Sequence, residues 1–324
     1  MTIPGRAEAS RRLRIIYDVE GWAFSHTARA LQKYAPPDFD VSIAPLTRDR
    51  VDDLGAALGP VEPDLVFVMH SGAAKARVVN AEIRARGWRP RVVGGWSSGW
   101  PLRVEEFPAR RREADLLIVN NQLTWERLGQ PAGTVVCPIG VDLDVFHVTR
   151  PIDARPPRVL WTGSEFYRTV KGYDDYVVPL ARRLEALGVP TSLRLVDSKG
   201  PDIRPPSEMA DWYNTGTVLV CASAAEGTPN PALEAAACGC VVVSTPVGNM
   251  PELIRSGENG YLVERSVDAL LGGVRAALAN HATLARRLHA DVQAWSWARR
   301  SAAYFAIFRR VAVAVGTAVA PVTT

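Results

Sequence analysis

From Leu13 to Ser244, short runs rich in aliphatic and β-branched residues alternate with stretches of helical periodicity. The strand candidates are LRIIYD (13–18), DVSIAPL (40–46), DLVFVMH (64–70), RVVGGW (91–96), DLLIVN (115–120), TVVCPI (134–139), RVLWTG (158–163), SLRLVD (192–197), TVLVCAS (217–223) and Val241–Ser244. Between them, His26–Tyr34, Ala73–Gly87 and Asp174–Gly188 carry helical patterning, and Ser207 is placed to cap a helix over SEMADWYNTG. Strands that alternate with helices build a parallel sheet covered on both faces. The Pro- and Arg-rich stretch Val148–Arg158 has no periodicity and reads as a linker, so the pattern predicts two doubly wound α/β domains. Ligands in such folds bind beyond the carboxyl ends of the strands, here facing a cleft between domains.

Composition narrows the classes. With 47% apolar and 22% charged residues, the 324-residue chain is an ordinary globular one with ample material for two cores. A net charge of +4 is too mild to indicate nucleic acid, which calls for a concentrated basic face. No apolar run is long enough to span a bilayer, and MTIPGRAEASRRLRII lacks the apolar core of a signal peptide, so a cytoplasmic location is expected. Cys137, Cys221, Cys238 and Cys240 all sit in or beside apolar segments. Without a second Cys/His cluster, the C-x-C pair reads as buried thiols rather than a zinc site.

The chemistry concentrates in Glu226–Val263. Glu226 and Glu234 lie eight positions apart, separated by a Gly/Thr/Pro/Asn turn that feeds an Ala-rich helix and then the apolar strand Val241–Ser244. A loop running into a helix N-terminus presents unpaired N–H groups suited to phosphate. A carboxylate on each side accepts hydrogen bonds from sugar and ribose hydroxyls. The combination describes a pocket for a sugar nucleotide.

This block resembles the signature of family-4 retaining glycosyltransferases, glycosyl transferases group 1. The matching features are the E-x7-E pair, LEAAACGCVVVST, the GNMPELI turn and ENGYLV. Pro138–Phe146 is similar to the family's interdomain P-N-G-V-D-x-x-x-F, Lys171–Asp175 to its K-G helix start, and Trp295–Phe308 to its terminal helix. The resemblance implies the GT-B fold, two facing Rossmann-like doubly wound parallel-sheet domains with an interdomain cleft. The expected divisions are an acceptor-binding domain over 1–150, a nucleotide-sugar domain over 151–294, and a terminal helix crossing back over 295–324.

It also implies roles. Glu234 would hold the ribose hydroxyls and Glu226 the donor sugar. Backbone from Gly227 and Thr228 to Leu233 would meet sugar and diphosphate. Pro231 has no N–H, which leaves Asn230, Ala232 and Leu233 as the useful amides of the helix start. Lys171 would neutralise the leaving diphosphate. His70, after DLVFVM, resembles a histidine that reaches the donor sugar from across the cleft, and the Gly21-Trp22 turn resembles the glycine-rich first loop. The partners implied are a nucleoside-diphosphate sugar, UDP- or GDP-linked, and a hydroxyl acceptor, with no cofactor and no metal. Two departures stand out. Ser164 follows Gly163 where the family has Arg, leaving Arg168 to reach the phosphates from a different position, and the connection between LRLVD and the next helix is short.

Other features read more plainly. Asp142-Leu143-Asp144 spells the D-x-D of a different, metal-using architecture but sits at a domain exit, where a turn is expected. Glu252 is expected to cap its own helix. The patch Trp96–Trp100 reads equally as an acceptor groove or ordinary packing. Arg110–Arg112 and RARGWRPR read as solvated faces, with peripheral membrane contact as the alternative. His26 reads as a helix-face residue. Besides sugar transfer, two readings stay open: a nucleotide-sugar epimerase or hydrolase, and a catalytically degenerate nucleotide-sugar-binding subunit.

Overall fold

The computed structural model describes residues 10–47, 53–69, 73–97, 104–197 and 204–313. The first domain runs β1 (Arg11–Tyr17), α1 (Ala23–Lys33), β2 (Phe39–Pro45), α2 (Leu54–Leu58), β3 (Leu65–Val68), α3 (Ala73–Ala85), β4 (Arg91–Trp96), α4 (Phe107–Arg112), β5 (Leu116–Val119), α5 (Gln122–Arg127) and β6 (Thr134–Val136). The second runs β7 (Val159–Ser164), α6 (Val178–Ala186), β8 (Thr191–Val196), α7 (Pro206–Tyr213), β9 (Val218–Cys221), α8 (Asn230–Ala237), β10 (Val241–Ser244), α9 (Met250–Leu253), β11 (Tyr261–Leu262), α10 (Val267–Ala279), α11 (His281–Val292) and α12 (Trp297–Val313).

Both sheets are wholly parallel, ordered β2-β1-β3-β4-β5-β6 and β11-β10-β9-β7-β8. The strand order therefore reverses between β1 and β3 in one sheet and between β7 and β9 in the other. Loops leaving neighbouring strands diverge at such a point and open a crevice. The expected pair of doubly wound domains is present, and the first domain and β7–β9 follow the alternation closely.

Successive side chains of a strand face opposite ways, so each sheet feeds two cores. In the first domain, Leu13, Ile15, Tyr17 and Phe67 pack on one face with α1 and α12, while Ile16, Val66 and Val68 pack on the other with α2 and α3. In the second, Leu160, Leu219 and Val242 meet α7, α8 and α11, while Trp161, Val220 and Val243 meet α6 and α10.

Three local expectations are corrected. The cap of α7 is Pro205 rather than Ser207, because Pro206 has the fixed φ of a first helical residue and starts the helix two residues earlier. The stretch 148–158 is not a bare linker. It contains a 3₁₀ turn, Ile152–Ala154, and the buried Arg155, which donates to the Arg150 carbonyl (2.7 Å) and to Asn214 Oδ1 (2.9 Å). In the basic run, Arg110 is fully buried with one bond, to the Val68 carbonyl (3.1 Å), and Arg111 donates to the Ala114 carbonyl (2.7 Å). Burial lowers the Arg110 pKa to about 10.

The chain crosses between domains twice. Val141 N–H donates to the Trp295 carbonyl (2.9 Å), and Trp297 N–H returns a bond to the Val141 carbonyl (3.0 Å). After the second crossing, Trp297, Tyr304, Phe305, Ile307, Phe308 and Val311 of α12 enter the first domain's core. Arg309 fixes the helix from outside with two 2.7 Å bonds to Asp38. Phe308 is fully buried, with its ring centroid 5.4 Å from that of Phe67 and 5.7 Å from that of Phe305. Phe308→Ala should cost about 3 to 5 kcal/mol, seen as a lower urea midpoint for the first domain's unfolding.

Candidate active site

The strand-order reversal between β7 and β9 gathers the acidic and basic groups that the sequence singled out. Past β7 the chain makes a 3₁₀ turn, Glu165–Tyr167, and Lys171 N–H closes back on the Tyr167 carbonyl (2.8 Å). Gly172 then takes φ +68°, where an added Cβ would lie 2.8 Å from the Ala222 carbonyl. A glycine is needed for that approach. Ala224 N–H donates to the Val170 carbonyl (2.8 Å), tying the β7 and β9 loops together.

At the junction Lys171 Nζ lies 2.7 Å from Glu226 Oε1, with side chains only 17% and 12% exposed. Ser223 Oγ donates to the same oxygen, also at 2.7 Å. Gly163 lies beneath the lysine stem, where an added Cβ would come 3.3 Å from Lys171 Cδ. Burial is the largest influence and opposes the ammonium charge, but the Glu226 charge and hydrogen bond, with smaller contributions from Cys221 and Tyr167, together outweigh it and hold the Lys171 pKa above its ordinary value. Arg265, which sequence reasoning missed, staples the frame. It donates to the Ala222 carbonyl (2.9 Å) and to the Thr169 and Val170 carbonyls (both 3.3 Å). Its only signal was its place just after the ENGYLV block.

Glu234 sits half-buried on α8 and accepts from Tyr213 Oη (2.8 Å). Burial pushes its pKa up to about 7, with the tyrosine bond pulling the other way. The turn before α8 departs from expectation. Asn230 N–H bonds the Thr228 carbonyl (2.9 Å) and Ala232 N–H bonds the Pro229 carbonyl (2.8 Å), so two of the expected amides are consumed within the turn. Pro229 and Pro231 cause this by curling the chain onto itself before the helix is under way. Leu233 is buried against the second domain's core. Three polar atoms here, Ser164 Oγ, Asn230 Oδ1 and Asn249 Oδ1, are buried without a partner among the described residues.

Arg168 is not aimed at the Lys171–Glu226 pair. Its guanidinium makes a two-pronged contact with Asp174 and lies over the Tyr173 ring (4.9 Å), on the exposed side of the loop. Across the cleft, Gly21 adopts φ +79° between β1 and α1, and the His26 ring lies 3.1 Å from its carbonyl. His70 lies outside the described residues, as do Ser98, Gly99 and Trp100 of the aromatic patch. Trp96 is buried, edge-on to Phe107 at 5.4 Å, and so belongs to the core rather than to a groove. In the D-x-D triplet, Asp142 Oδ1 accepts from Asp144 N–H (3.1 Å) and Asp144 pairs with Lys33 (2.5 Å), the arrangement of a turn.

Glu252 does something the sequence did not suggest. It lies in α9, but its Oε1 accepts the Gln122 N–H (2.9 Å) and so caps α5 in the other domain. Beside it, Asn121 Nδ2 donates to the Gly227 carbonyl (2.8 Å).

Two facing parallel sheets with chemistry at the strand-order reversal define the GT-B class. Sucrose-phosphate synthase from Thermosynechococcus elongatus superposes with TM-score 0.71 at 16% identity, over 94% of this chain and 100% of that one. Anabaena HepE in complex with UDP-glucose gives 0.67 at 15% identity, over 92% and 99%. Residues 157–280, within the second domain, match the family model described as Glycosyl transferases group 1. The D-inositol 3-phosphate glycosyltransferase of Mycolicibacterium paratuberculosis is 29% identical over 285 residues, 76% of this chain and 62% of that protein. That of Mycobacterium avium is 28% identical over 287 residues, 76% and 64%. The chain thus spans less than two thirds of the length of these curated relatives.

The raised Glu234 pKa gives a signed expectation. A carboxyl that holds its proton more tightly when folded contributes stability below its ordinary value near 4.5, and that contribution is lost as pH rises through about 7. Glu234→Gln should therefore match wild type at pH 5 and exceed it in melting temperature at pH 8, as thermal scans at the two pH values will show.

Proposed function

We propose that the chain is a retaining, metal-independent glycosyltransferase that moves a hexose-type sugar from a nucleoside-diphosphate sugar to a hydroxyl acceptor. The observation that carries this reading is the buried Lys171–Glu226 pair at the β7/β9 crevice. An ammonium kept charged in a poorly solvated site stabilises the negative charge that grows on a departing diphosphate. Glu226 serves as its counterion until the donor arrives and then accepts hydrogen bonds from the donor sugar. Glu234 accepts from the ribose hydroxyls through the oxygen that Tyr213 does not use.

In the retaining scheme the acceptor hydroxyl attacks on the face that the diphosphate leaves, and the departing phosphate oxygen takes its proton. No side-chain base is then required. The relatives and the UDP-glucose-bound neighbour support a nucleotide-sugar donor, and the names of the relatives suggest sugar- or inositol-phosphate acceptors to try first. A second reading is nucleotide-sugar binding without turnover. It is favoured by Ser164 in place of arginine and by the engagement of Arg168 with Asp174, which turns that guanidinium away from the Lys171–Glu226 pair.

Calorimetry with UDP, GDP and their sugars, followed by transfer assays on sugar phosphates and inositol phosphates, tests both. Lys171→Ala should lower kcat about 100- to 1000-fold, in line with loss of one transition-state charge contact. Glu226→Gln should lower it comparably and also lower the melting temperature, because the enclosed ammonium loses its counterion. Full activity in both variants overturns the site, and tight donor binding with no turnover on any acceptor favours the second reading.

A further inference from the structure

On the reading that the 226–230 loop receives a nucleotide sugar, we propose that Asn121 of the first domain is a positioning residue for that loop. Asn121 is fully buried and both ends of its amide are committed. Oδ1 accepts the Thr124 N–H at 2.7 Å and caps α5, which leaves Nδ2 to donate to the Gly227 carbonyl at 2.8 Å. The amide orientation follows from the bonding, since only oxygen can face the Thr124 N–H.

Fixing the Gly227 carbonyl fixes a whole peptide plane. The unit is planar and trans, so the Thr228 N–H points opposite to the held carbonyl. The far side of that carbonyl is closed as well. Gly248 packs against it at φ +54°, where an added Cβ would come within 2.5 Å of the Gly227 oxygen. Asn249 Nδ2 donates to Thr228 Oγ1 at 3.0 Å. The neighbouring Gln122 N–H holds Glu252, so the 249–253 segment is anchored to the same helix end as Gly227. The backbone between Glu226 and α8 is thus set partly by a side chain from the opposite domain. Its fit to a donor therefore depends on how the two domains sit together, which neither domain's local sequence encodes.

Two variants of the full chain separate positioning from plain structural support. Asn121→Asp keeps the capping oxygen and the shape but turns an acceptor toward the Gly227 carbonyl. Asn121→Ser keeps a capping hydroxyl and lacks the reach, and it decides the matter if the first variant does not fold. The readouts are the Thr228 amide signal by NMR, affinity for UDP and GDP by calorimetry, and melting temperature. The expected result is a displaced Thr228 signal and at least a tenfold weaker affinity for whichever diphosphate binds wild type. A Thr228 signal unchanged from wild type, or an affinity within twofold of it, overturns the proposal even where the melting temperature falls. If wild type binds neither diphosphate, the functional reading fails instead, while the Thr228 signal still reports whether Asn121 sets the loop.

Discussion

A parallel sheet buried on both faces has only its strand ends free for chemistry, and that constraint organises this molecule. Helices cover each face because the strands are apolar in both directions. What remains is a row of loops at the carboxyl ends, and a strand-order reversal is where two of them part far enough to admit a ligand. Lys171 and Glu226 occupy that place in the second sheet. Gly21 follows β1, one of the corresponding pair of strands, in the first.

Within the crevice the balance between desolvation and pairing decides the charge states. An isolated ammonium as enclosed as that of Lys171 would tend to shed its proton. The Glu226 carboxylate 2.7 Å away helps that ammonium keep its proton. Glu234, with a neutral tyrosine for a partner, has no such compensation and its pKa rises. Two glutamates eight residues apart therefore differ in character because of what faces them.

The sequence and the structure part company where contacts reach across the chain. Strand positions and the two-sheet architecture were legible because apolar alternation is a local property. The Lys171–Glu226 pairing was accessible only through resemblance, since the two lie 55 positions apart. Nothing local marks Asn121 or Glu252 as bridging residues. Each looks like an ordinary helix cap, and Asn121 is one, with its other end spent between domains. Arg110 reads as part of a solvated basic run because a triplet of arginines carries no sign of which one turns inward. The prolines flanking Asn230 were visible, but their effect of tying up neighbouring amides depends on the turn's exact closure.

The return of α12 to the first domain bears on how the chain is made. That domain's sheet is complete by residue 136, yet part of its apolar face waits for Trp297, Phe305 and Phe308. During synthesis the first sheet emerges early and must hold a greasy flank exposed while the whole second domain is translated and folded. The usual order, in which an N-terminal domain is finished before the next begins, is reversed here. A helix translated after the second domain closes the first core.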